Sequence, residues 1–482
     1  MKYLLLFFVF SCSFICCQDS TEPPSSNTGH PNIIYILADD LGYGDLSCYG
    51  QQKFATPHID RLAQEGMLFT QHYSGATVCA PSRSALMTGL HTGHTYVRGN
   101  KEVQPEGQWP LPDATYTLSD LLKERGYVTG IFGKWGLGYP GSTGAPENQG
   151  FDVFYGYNCQ RLAHNYYPEY LWNNTEKEFL PENDSGASLA YAPFRIQDQA
   201  LEFLNKYRDT TFFLYYPTPI PHAELLIPDS LILPFKGLYN PEKTYEGVDS
   251  GPQFRKGPYG SQEMAHAAFA AMVTLLDNQV GELMQAVKDL GLENNTIVIF
   301  TSDNGPHLEG GADPEYFNSN GPLRGYKRDV YEGGVRVPML VRWPEKIEAG
   351  QKNDHVSAFW DVLPTVADIL QVKIPVATDG ISFLPSLLGD EQPRHDYLYW
   401  EFHELGGRRA LRQSSWKLVQ YNVNDTTDNR FELYDVSKDT GETKNLASMY
   451  PDTLDRLKEI MLNARVPSSV FRFSTDAPEM MD

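Results

Sequence analysis

Short hydrophobic runs rich in β-branched and aromatic residues recur along the chain and alternate with stretches of helical periodicity. Five of these runs are predicted to be strands: residues 33–37, 128–132, 211–216, 297–301 and 337–341. Hydrophobic positions at near-helical spacing predict a long helix over residues 262–290, which ends at Gly291. Strands that alternate with helices are typical of an α/β fold with a largely parallel central sheet, which we expect here.

The pattern changes after about residue 375. Three short aromatic runs, DYLYWEF, WKLVQY and FELYDV, are separated by turn-forming or polar stretches, and a helical pattern over residues 451–464 follows them. These features predict an antiparallel sheet and a helix. We therefore expect a main domain over residues 31–384 and a smaller C-terminal subdomain over residues 385–482.

Polar or ionisable residues lie just beyond four of the predicted strands. In open α/β sheets, ligands bind at the carboxyl ends of the strands. A single residue of this kind is explained as well by a turn or a helix cap, but four strands that share the feature predict a common site. In chain order the residues are Asp39-Asp40, Gly133-Lys134, Pro219 to His222, and Asp303-Asn304.

Four of these residues, Asp39, Asp40, Asp303 and Asn304, form a set of oxygen ligands. Hard cations such as Ca²⁺ or Mg²⁺ prefer such ligands, whereas Zn²⁺ sites usually include His or Cys. Adjacent carboxylates repel each other unless a cation is near, which favours a metal site. The alternative interpretation of Asp39-Asp40 is a solvated acidic loop. The pair Asp303-Asn304, which follows a second predicted strand, favours the metal site.

The chain has 482 residues with 39 Lys and Arg against 61 Asp and Glu, which gives a net charge of −22. Such an acidic chain repels nucleic acids and other polyanions at long range, so we expect no nucleic-acid partner. An anionic ligand would need a local site. The six cysteines are few and widely spaced, and they imply no disulfide framework.

Residues 1–17, MKYLLLFFVFSCSFICC, combine a short basic start with an apolar run that is too short to span a bilayer. They predict an export signal, followed by a flexible tether over residues 18–30. Cys16-Cys17 resemble the end of a bacterial lipoprotein signal, with Cys17 as the predicted lipidated residue. We expect a periplasmic or outer-membrane-associated bacterial lipoprotein that contacts the membrane only through this anchor.

The segment Cys79-Ala80-Pro81-Ser82-Arg83, continued by SALMTG, strongly resembles the signature of the type I sulfatases of the alkaline phosphatase superfamily. Further segments agree in order: LADDLGYGD, GKW, PH in the loop 218–222, TSDNG and LRGYKRDVYEGGVRVP. The resemblance extends from about Asn32 to the C-terminal GETKNLA segment. It implies an alkaline-phosphatase-like α/β/α sandwich.

The resemblance also implies that a separate maturation enzyme oxidises Cys79 to formylglycine, whose hydrate is a geminal diol. One hydroxyl, polarised by a cation that is usually Ca²⁺ in this family, with Mg²⁺ as the alternative, would attack sulfur. The second hydroxyl would then expel sulfate. Because the cation would polarise the attacking hydroxyl, Cys79 joins the four oxygen ligands around the metal. Arg83 would stabilise the diol, Lys134 and Lys327 would bind sulfate oxygens, and His222 would protonate the leaving alcohol.

This division of roles suits the chemistry of sulfate esters. Charge on the nonbridging oxygens must be stabilised, which two lysines and a metal can do. A leaving alcohol needs a proton from a positioned acid, and histidine is the usual donor near neutral pH. An unmodified thiol would serve poorly, because its sulfate adduct has no second hydroxyl to break it down.

One position departs from the family pattern. The sequence around Lys134 is commonly G-K-W-H-L-G in the family, whereas Gly136 replaces the histidine here. That histidine is the family's candidate base for the breakdown step. His307 and His94 are candidate replacements, with His307 preferred because it lies three residues past Asn304; His94 fits a plain loop residue equally well.

Substrate-binding residues are expected in loops near the strand ends or in the C-terminal subdomain. The candidates are His307, Glu309, Arg98, Asn100, His164, Glu401 and His403.

The sequence thus predicts a sulfatase that acts on sulfated carbohydrates, at the end of an oligosaccharide derived from a polysaccharide. A sulfate ester of galactose or N-acetylgalactosamine is the expected substrate. Two alternatives remain open. One is a phosphomonoester or phosphonate ester hydrolase of the same superfamily, and the other is a non-catalytic glycan-binding lipoprotein, for which Gly136 is the only support.

Overall fold

The computed structural model describes residues 29–476. The predicted signal peptide, Cys17 and most of the predicted tether lie outside the described residues. Within this range the chain forms fifteen strands: β1 (Asn32–Ala38), β2 (Met67–Tyr73), β3 (Val128–Lys134), β4 (Val153–Tyr157), β5 (Tyr170–Asn173), β6 (Glu176–Phe179), β7 (Phe212–Pro217), β8 (Thr296–Ser302), β9 (Arg336–Arg342), β10 (Gln351–Asn353), β11 (Ser357–Ala358), β12 (Leu398–Phe402), β13 (Arg408–Gln413), β14 (Trp416–Tyr421) and β15 (Arg430–Asp435).

Eleven α-helices connect or cover these strands in the same range. The longest has 25 residues and corresponds to the helix predicted over 262–290. The helices are α1 (Pro57–Glu65), α2 (Cys79–Thr88), α3 (Leu118–Glu124), α4 (Ala192–Lys206), α5 (Asp229–Ile232), α6 (Ala265–Asp289), α7 (Pro314–Phe317), α8 (Glu332–Val335), α9 (Val362–Ile369), α10 (Leu384–Leu388) and α11 (Pro451–Asn463).

A central sheet of eleven strands has the order β10-β2-β9-β8-β1-β7-β3-β4-β5-β6, and β11 pairs with β2 beside this path. The strands β8, β1, β7, β3 and β4 run parallel to one another. Strand β9 runs antiparallel to both β8 and β2, and β5 and β6 add an antiparallel edge. The predicted α/β fold with a mainly parallel sheet is confirmed.

Both faces of this sheet are covered by helices. Ile34 and Ile36 of β1 point into a core shared with α1, α4 and α6. Ile33 and Tyr35 point into a second core, shared with α2, α3 and α9. Because both faces are buried, the central strands are continuously hydrophobic, and they were recognisable from the sequence for that reason. The architecture is the expected α/β/α sandwich.

The second sheet has four antiparallel strands in the order β12-β13-β14-β15. One of its faces packs on the main domain, where Trp400 meets Tyr73 and Trp360. The other face, with Leu411 and Leu418, packs against α11. The predicted C-terminal antiparallel sheet and helix are confirmed, while the boundary at residue 385 stays a prediction.

Several strands were not predicted from the pattern. Strand β13, RRALRQ, contains only two hydrophobic residues, and strand β2, MLFTQHY, becomes polar in its second half. Among residues 29–476, no helix combines the length and the hydrophobicity that a membrane span requires.

Candidate active site

The strands β8, β1, β7 and β3 lie side by side and run in the same direction, so their carboxyl ends meet at one edge of the sheet. The residues predicted at this edge are all buried there, with fractional exposures of at most 1% for Asp39, Asp40, Lys134, His222 and Asp303. The convergence expected from the sequence is therefore present in the fold.

Cys79 is the first residue of α2, a helix in which every residue is buried. Its Sγ lies 3.2 Å from Asp39 Oδ1 and 3.8 Å from Asp40 Oδ1. Burial, followed by the charges of Asp303 and Asp39, raises the pKa of the Cys79 thiol well above its usual value. The next residue is fixed by Asn100, whose Oδ1 accepts a hydrogen bond of 3.0 Å from the amide of Ala80.

Oxygen atoms of three carboxylates converge beside this sulfur. One ligand atom from each of Asp39, Asp40, Asp303 and Cys79 lies within 4.8 Å of all the others. Asp40 has a left-handed backbone with φ of 63°, and its amide donates to Asp303 Oδ1 at 3.1 Å. Such a conformation is uncommon for a residue other than glycine, and it persists where the surroundings enforce it.

Asn304 completes the set of oxygen donors. Its Nδ2 donates to Asp40 Oδ1 at 2.7 Å, whereas its Oδ1 is buried and has no hydrogen-bond partner among residues 29–476. A buried acceptor without a partner normally needs an explanation such as an ion. Oxygen donors that crowd together around an unpaired amide oxygen fit a hard divalent cation.

Three buried cations balance the three carboxylates. Arg83 donates from Nη2 and Nε to Asp303 Oδ2 at 2.8 and 3.1 Å, and from Nη1 to the carbonyl of Lys134. The ammonium groups of the two lysines contact different carboxylates, Lys134 Nζ to Asp39 at 2.6 Å and Lys327 Nζ to Asp40 at 2.7 Å. We call these six residues the site cluster: Asp39, Asp40, Asp303, Arg83, Lys134 and Lys327.

The charges within the site cluster perturb one another strongly. Burial would lower the pKa of both lysines, but Asp39 raises that of Lys134 and Asp40 raises that of Lys327. Burial and the neighbouring Asp39 raise the pKa of Asp303 to about 7. Although burial opposes it, Lys134 holds the pKa of Asp39 well below its usual value. Two positively charged lysines thus face a group of carboxylates that do not ionise independently.

His222 extends the cluster on the side of Lys327. Its Nε2 lies 2.8 Å from Lys327 Nζ and 3.2 Å from Asp40 Oδ2, and its Nδ1 donates to the carbonyl of Ala223. Burial, followed by the charge of Lys327, lowers the pKa of His222 well below its usual value. The neutral ring therefore carries its proton on Nδ1 and offers Nε2 as an acceptor.

Two further predicted residues, His164 and His307, stack on the ring of His222, with ring centroids 4.8 and 5.2 Å away. His307 Nδ1 lies 3.3 Å from Glu309 Oε2, and Glu309 also pairs with Arg328. Burial would lower the pKa of His307, but the bond to Glu309 raises it. Of the two candidate replacements for the missing histidine, His307 is the one in contact with the site.

Gln160 occupies the space beside Gly136. Gly136 has φ of 84°, and a Cβ built on it would lie 1.7 Å from Gln160 Nε2. Gln160 is 4% exposed, and both of its amide atoms lack a hydrogen-bond partner in the described part of the chain. No sequence signal pointed to Gln160, because its proximity to Gly136 depends on the pairing of the two chain segments.

The remaining predicted residues bond elsewhere. Glu401 accepts hydrogen bonds from Arg98, His403 and Arg465 at 3.1, 3.0 and 2.7 Å, and this network joins the C-terminal sheet to the loop after α2. His94 bonds to Asp379 at 2.9 Å and not to any member of the site cluster. The structure thus gives Arg98, Glu401 and His403 partners of their own, and their role in substrate binding stays a prediction.

Comparisons with known proteins agree with this geometry. The family model described as sulfatase matches residues 31–372, and one described as N-sulphoglucosamine sulphohydrolase, C-terminal, matches residues 325–466. Arylsulfatase A of Homo sapiens is 33% identical over 492 residues, an alignment that covers 91% of this chain and 89% of that protein. The N-acetylgalactosamine-6-O-sulfatase of Bacteroides thetaiotaomicron is 29% identical, with 92% of this chain and 95% of that protein covered.

The fold is also found among solved structures. A structure determined in work on the metabolism of multiple glycosaminoglycans by Bacteroides thetaiotaomicron superposes with a TM-score of 0.72 at 26% identity. The superposition covers 90% of this chain and 99% of that one.

Proposed function

We propose that this chain, which belongs to the sulfatase family of the alkaline phosphatase superfamily, removes sulfate from carbohydrates. Sulfatases hydrolyse sulfuric esters. The observation that carries the proposal is the meeting of Cys79, in its C-x-P-S-R segment, with the converging carboxylates and the two lysines of the site cluster. A buried site with paired positive charges suits an anionic ester.

A divalent cation would be held by Asp39, Asp40, Asp303 and Asn304, and the unpaired Oδ1 of Asn304 supports this assignment. We propose Ca²⁺, with Mg²⁺ as the alternative, because all four side chains offer oxygen. When bound, such an ion would polarise the oxygen atoms that it contacts.

Cys79 is proposed to be converted to formylglycine by a maturation enzyme, and the hydrated aldehyde would supply both the attacking hydroxyl and the hydroxyl that releases sulfate. The chain's own residues prepare this position. Arg83 is fixed by Asp303 and by the carbonyl of Lys134. Cys79 is the first residue of α2, in which every residue is buried.

Lys134 and Lys327 are proposed to bind the sulfate oxygens. Both ammonium groups are held in their charged form by separate aspartates, so neither has to gain a proton when the ester enters. Lys134 ends β3, whereas Lys327 lies in the loop between α7 and α8. Fixed charges that need no rearrangement stabilise developing negative charge most effectively.

His222, together with Lys327, is proposed to protonate the leaving alcohol. Its Nε2 accepts from Lys327 Nζ at 2.8 Å, so Lys327 would pass a proton to Nε2, and Nε2 would give it to the departing oxygen, which leaves Lys327 neutral until solvent returns a proton. The stacked rings of His164 and His307 hold the imidazole plane in place. We propose His307, supported by Glu309, as the base that compensates for Gly136.

The carbohydrate substrate is inferred from the relatives. One of them is named N-acetylgalactosamine-6-O-sulfatase, and a solved structure with the same fold comes from work on glycosaminoglycan metabolism. We propose a sulfated galactose or N-acetylgalactosamine unit. Export, with a lipid anchor at Cys17, is proposed from residues that lie outside the described part of the chain.

The test is to produce the chain together with a formylglycine-generating enzyme and to measure the mass of the peptide around Cys79. Sulfate release is then measured from a panel of sulfated monosaccharides, with Cys79→Ala as the control. Conversion of the thiol together with release that depends on Cys79 would support the proposal. Full conversion with turnover of phosphate or phosphonate esters alone would identify a phosphoester hydrolase, and full conversion with no turnover would leave a glycan-binding protein.

A further inference from the structure

Arg328, the residue after Lys327, has an unusual backbone conformation. Its φ of 75° lies in the left-handed region, which side chains other than glycine rarely adopt. A residue held in this region persists when the surrounding structure fixes it, and such residues concentrate at functional sites. Lys327 contacts Asp40, whereas the side chain of Arg328 pairs with Glu309, which is not a member of the site cluster.

The backbone of Arg328 is fixed from two sides. Its amide donates to the carbonyl of Thr77 at 2.9 Å, two residues before Cys79. Its carbonyl accepts from Arg408 Nη1 at 2.5 Å, and Arg408 lies on β13 of the C-terminal sheet. The same Nη1 contacts Asp329 Oδ1 at 2.6 Å. Arg328 is therefore positioned by both the nucleophile loop and the C-terminal subdomain.

The side chain of Arg328 is 37% exposed, in contrast to the buried Lys327 beside it. Its Nη1 pairs with Glu309, which is only 16% exposed and contacts His307 with its other oxygen. Within residues 29–476, Nε and Nη2 of Arg328 donate to no side chain or carbonyl. The guanidinium thus presents a free pair of donors toward solvent at the rim of the site.

We propose that Arg328 binds a second anionic group of the substrate, a carboxylate or a sulfate on the sugar next to the one that carries the reacting ester. This inference rests on the proposed function. Two parallel N–H donors match the two oxygens of a carboxylate or sulfate, and a planar guanidinium recognises them better than an ammonium does. Arg328 lies beside Lys327 in the chain and pairs with Glu309, which contacts His307, so a sugar next to the one that carries the reacting ester comes within reach of its guanidinium.

The inference makes the enzyme selective for acidic glycans. Because the chain carries a net charge of −22, a polyanionic substrate is repelled at long range and needs local cations in addition to the catalytic lysines. Arg328 supplies such a cation outside the site cluster. Its bond to Glu309 holds the guanidinium in place before the substrate arrives, so that little side-chain freedom is lost on binding.

The test compares matched substrates with the matured enzyme. One pair is a sulfated disaccharide with a neighbouring uronate and the same disaccharide after reduction of its carboxyl group. The second pair replaces the uronate with a second sulfate. The kcat/KM of wild type, Arg328→Gln and Arg328→Lys is measured on all four substrates. Calorimetry measures their affinity for two desulfated products, the one with the uronate and the one with the reduced carboxyl group. Arg61→Gln, which removes an arginine that pairs with Glu65 on α1, is the control for loss of one positive charge.

Arg328→Gln should lower kcat/KM about 10- to 100-fold more for the substrate with the second anion than for its neutral counterpart, since both substrates share any loss that follows from unpairing Glu309. The affinity for the uronate-bearing product should fall in parallel, while Arg328→Lys should retain part of the preference. The pair that loses its preference identifies the anion as carboxylate or sulfate. Equal losses for both members of each pair would overturn the proposal and leave the sulfatase intact. An absence of sulfate release by matured wild type would instead contradict the proposed function.

Discussion

Two groups of buried charges in this chain have similar composition and different geometry. The first is the site cluster. The second, here called the sheet cluster, lies between the main domain and the C-terminal sheet and consists of Lys417, Glu332, Glu442, Arg412 and Tyr73. Lys417 is fully buried and its Nζ lies 2.9 Å from Glu332 Oε1 and 3.3 Å from Glu442 Oε1.

The carboxylates of the sheet cluster accept bonds from several directions. Glu332 Oε2 accepts from Tyr73 Oη at 2.6 Å, and Glu442 Oε2 accepts from the amide of Glu332 at 2.7 Å. In the site cluster, by contrast, three carboxylates and a sulfur converge on one volume, beside an amide oxygen that has no partner in the described residues. Convergent acceptors, and not buried charge as such, distinguish a place that binds a ligand from a place that holds two domains together.

Perturbed ionisation does not make this distinction. Burial and Asp39 raise the pKa of Asp303 to about 7 in the site cluster. Burial, only partly offset by Lys417, also raises the pKa of Glu442 to about 7 in the sheet cluster. A raised carboxyl pKa therefore accompanies burial in both places, and the directions of the neighbouring groups have to be considered before a function is assigned.

The largest expected effect separates activity from stability in the site cluster. Asp303→Asn should lower kcat/KM for sulfate release on the order of 10⁴-fold, about 5.5 kcal/mol, because a proposed metal ligand and the partner of Arg83 loses its charge. The free energy of unfolding should change less than it does in Lys417→Met, because relief of repulsion among three crowded carboxylates offsets part of the weakened pairing with the buried Arg83. Kinetics on matured protein and urea unfolding of the same preparation measure both values. Unfolding of this variant would assign the site cluster a mainly structural role.

The opposite result is expected in the sheet cluster. Lys417→Met removes the cation that Glu332 and Glu442 share, leaves Glu332 its 3.4 Å pair with Arg336, and should lower the free energy of unfolding by about 3 kcal/mol. The variant that remains folded should keep its kcat/KM, because Lys417 contacts no member of the site cluster. Urea unfolding measures the loss.

Lys438→Met is the matched control for that experiment. Lys438 lies in the same subdomain, is 82% exposed, and pairs with Asp435. Its removal should leave the free energy of unfolding close to that of wild type, because an exposed ion pair contributes little. A similar effect of both variants would show that burial does not determine the contribution of these lysines.

The two regions were not equally predictable from the sequence. The strands β1, β7 and β8 are buried on both faces and therefore appear as continuous hydrophobic runs, and the acidic residues of the site directly follow β1 and β8. The sheet cluster gave no comparable signal. Strand β13 was missed because Arg409 and Arg412 interrupt its hydrophobic pattern, although both are less than 10% exposed in the fold.

The same limit applies within the site itself. Cys79 and Arg83 lie in one short segment and could be located together. Arg328 and Gln160 gain their positions from residues that are distant in the chain, namely Thr77 and Arg408 for the one and the segment of Gly136 for the other. A hydrophobic pattern carries no information about such long-range contacts.

A smaller effect on the free energy of unfolding is expected at Gly136, where Gln160 occupies the adjacent space. Gly136→His should lower the free energy of unfolding by about 2–3 kcal/mol, because the left-handed backbone and the contact with Gln160 Nε2 both oppose a side chain. The double variant Gly136→His, Gln160→Gly should recover about 1 kcal/mol or more of this loss. Unfolding of the single and double variants gives the coupling between the two positions. Additive losses would mean that Gln160 does not occupy the space of the usual histidine.

The smallest effect is expected on the pH dependence of the free energy of unfolding and concerns a buried group outside both clusters. It tests the effect of burial at a place where charges do not converge. His72 is fully buried, its Nδ1 lies 2.9 Å from Ser357 Oγ, and burial, aided by His355, lowers its pKa to about 3. An unfolded histidine titrates near 6.5, so the unfolded state binds a proton first as the pH falls. The stability present above pH 6.5 should therefore decline by about 2 kcal/mol between pH 6.5 and pH 5. His72→Gln should remove that part of the slope when urea unfolding is measured across this range. An unchanged slope would mean that the decline arises from other groups, which include His91 and His164, two histidines whose pKa burial also lowers, and not from His72.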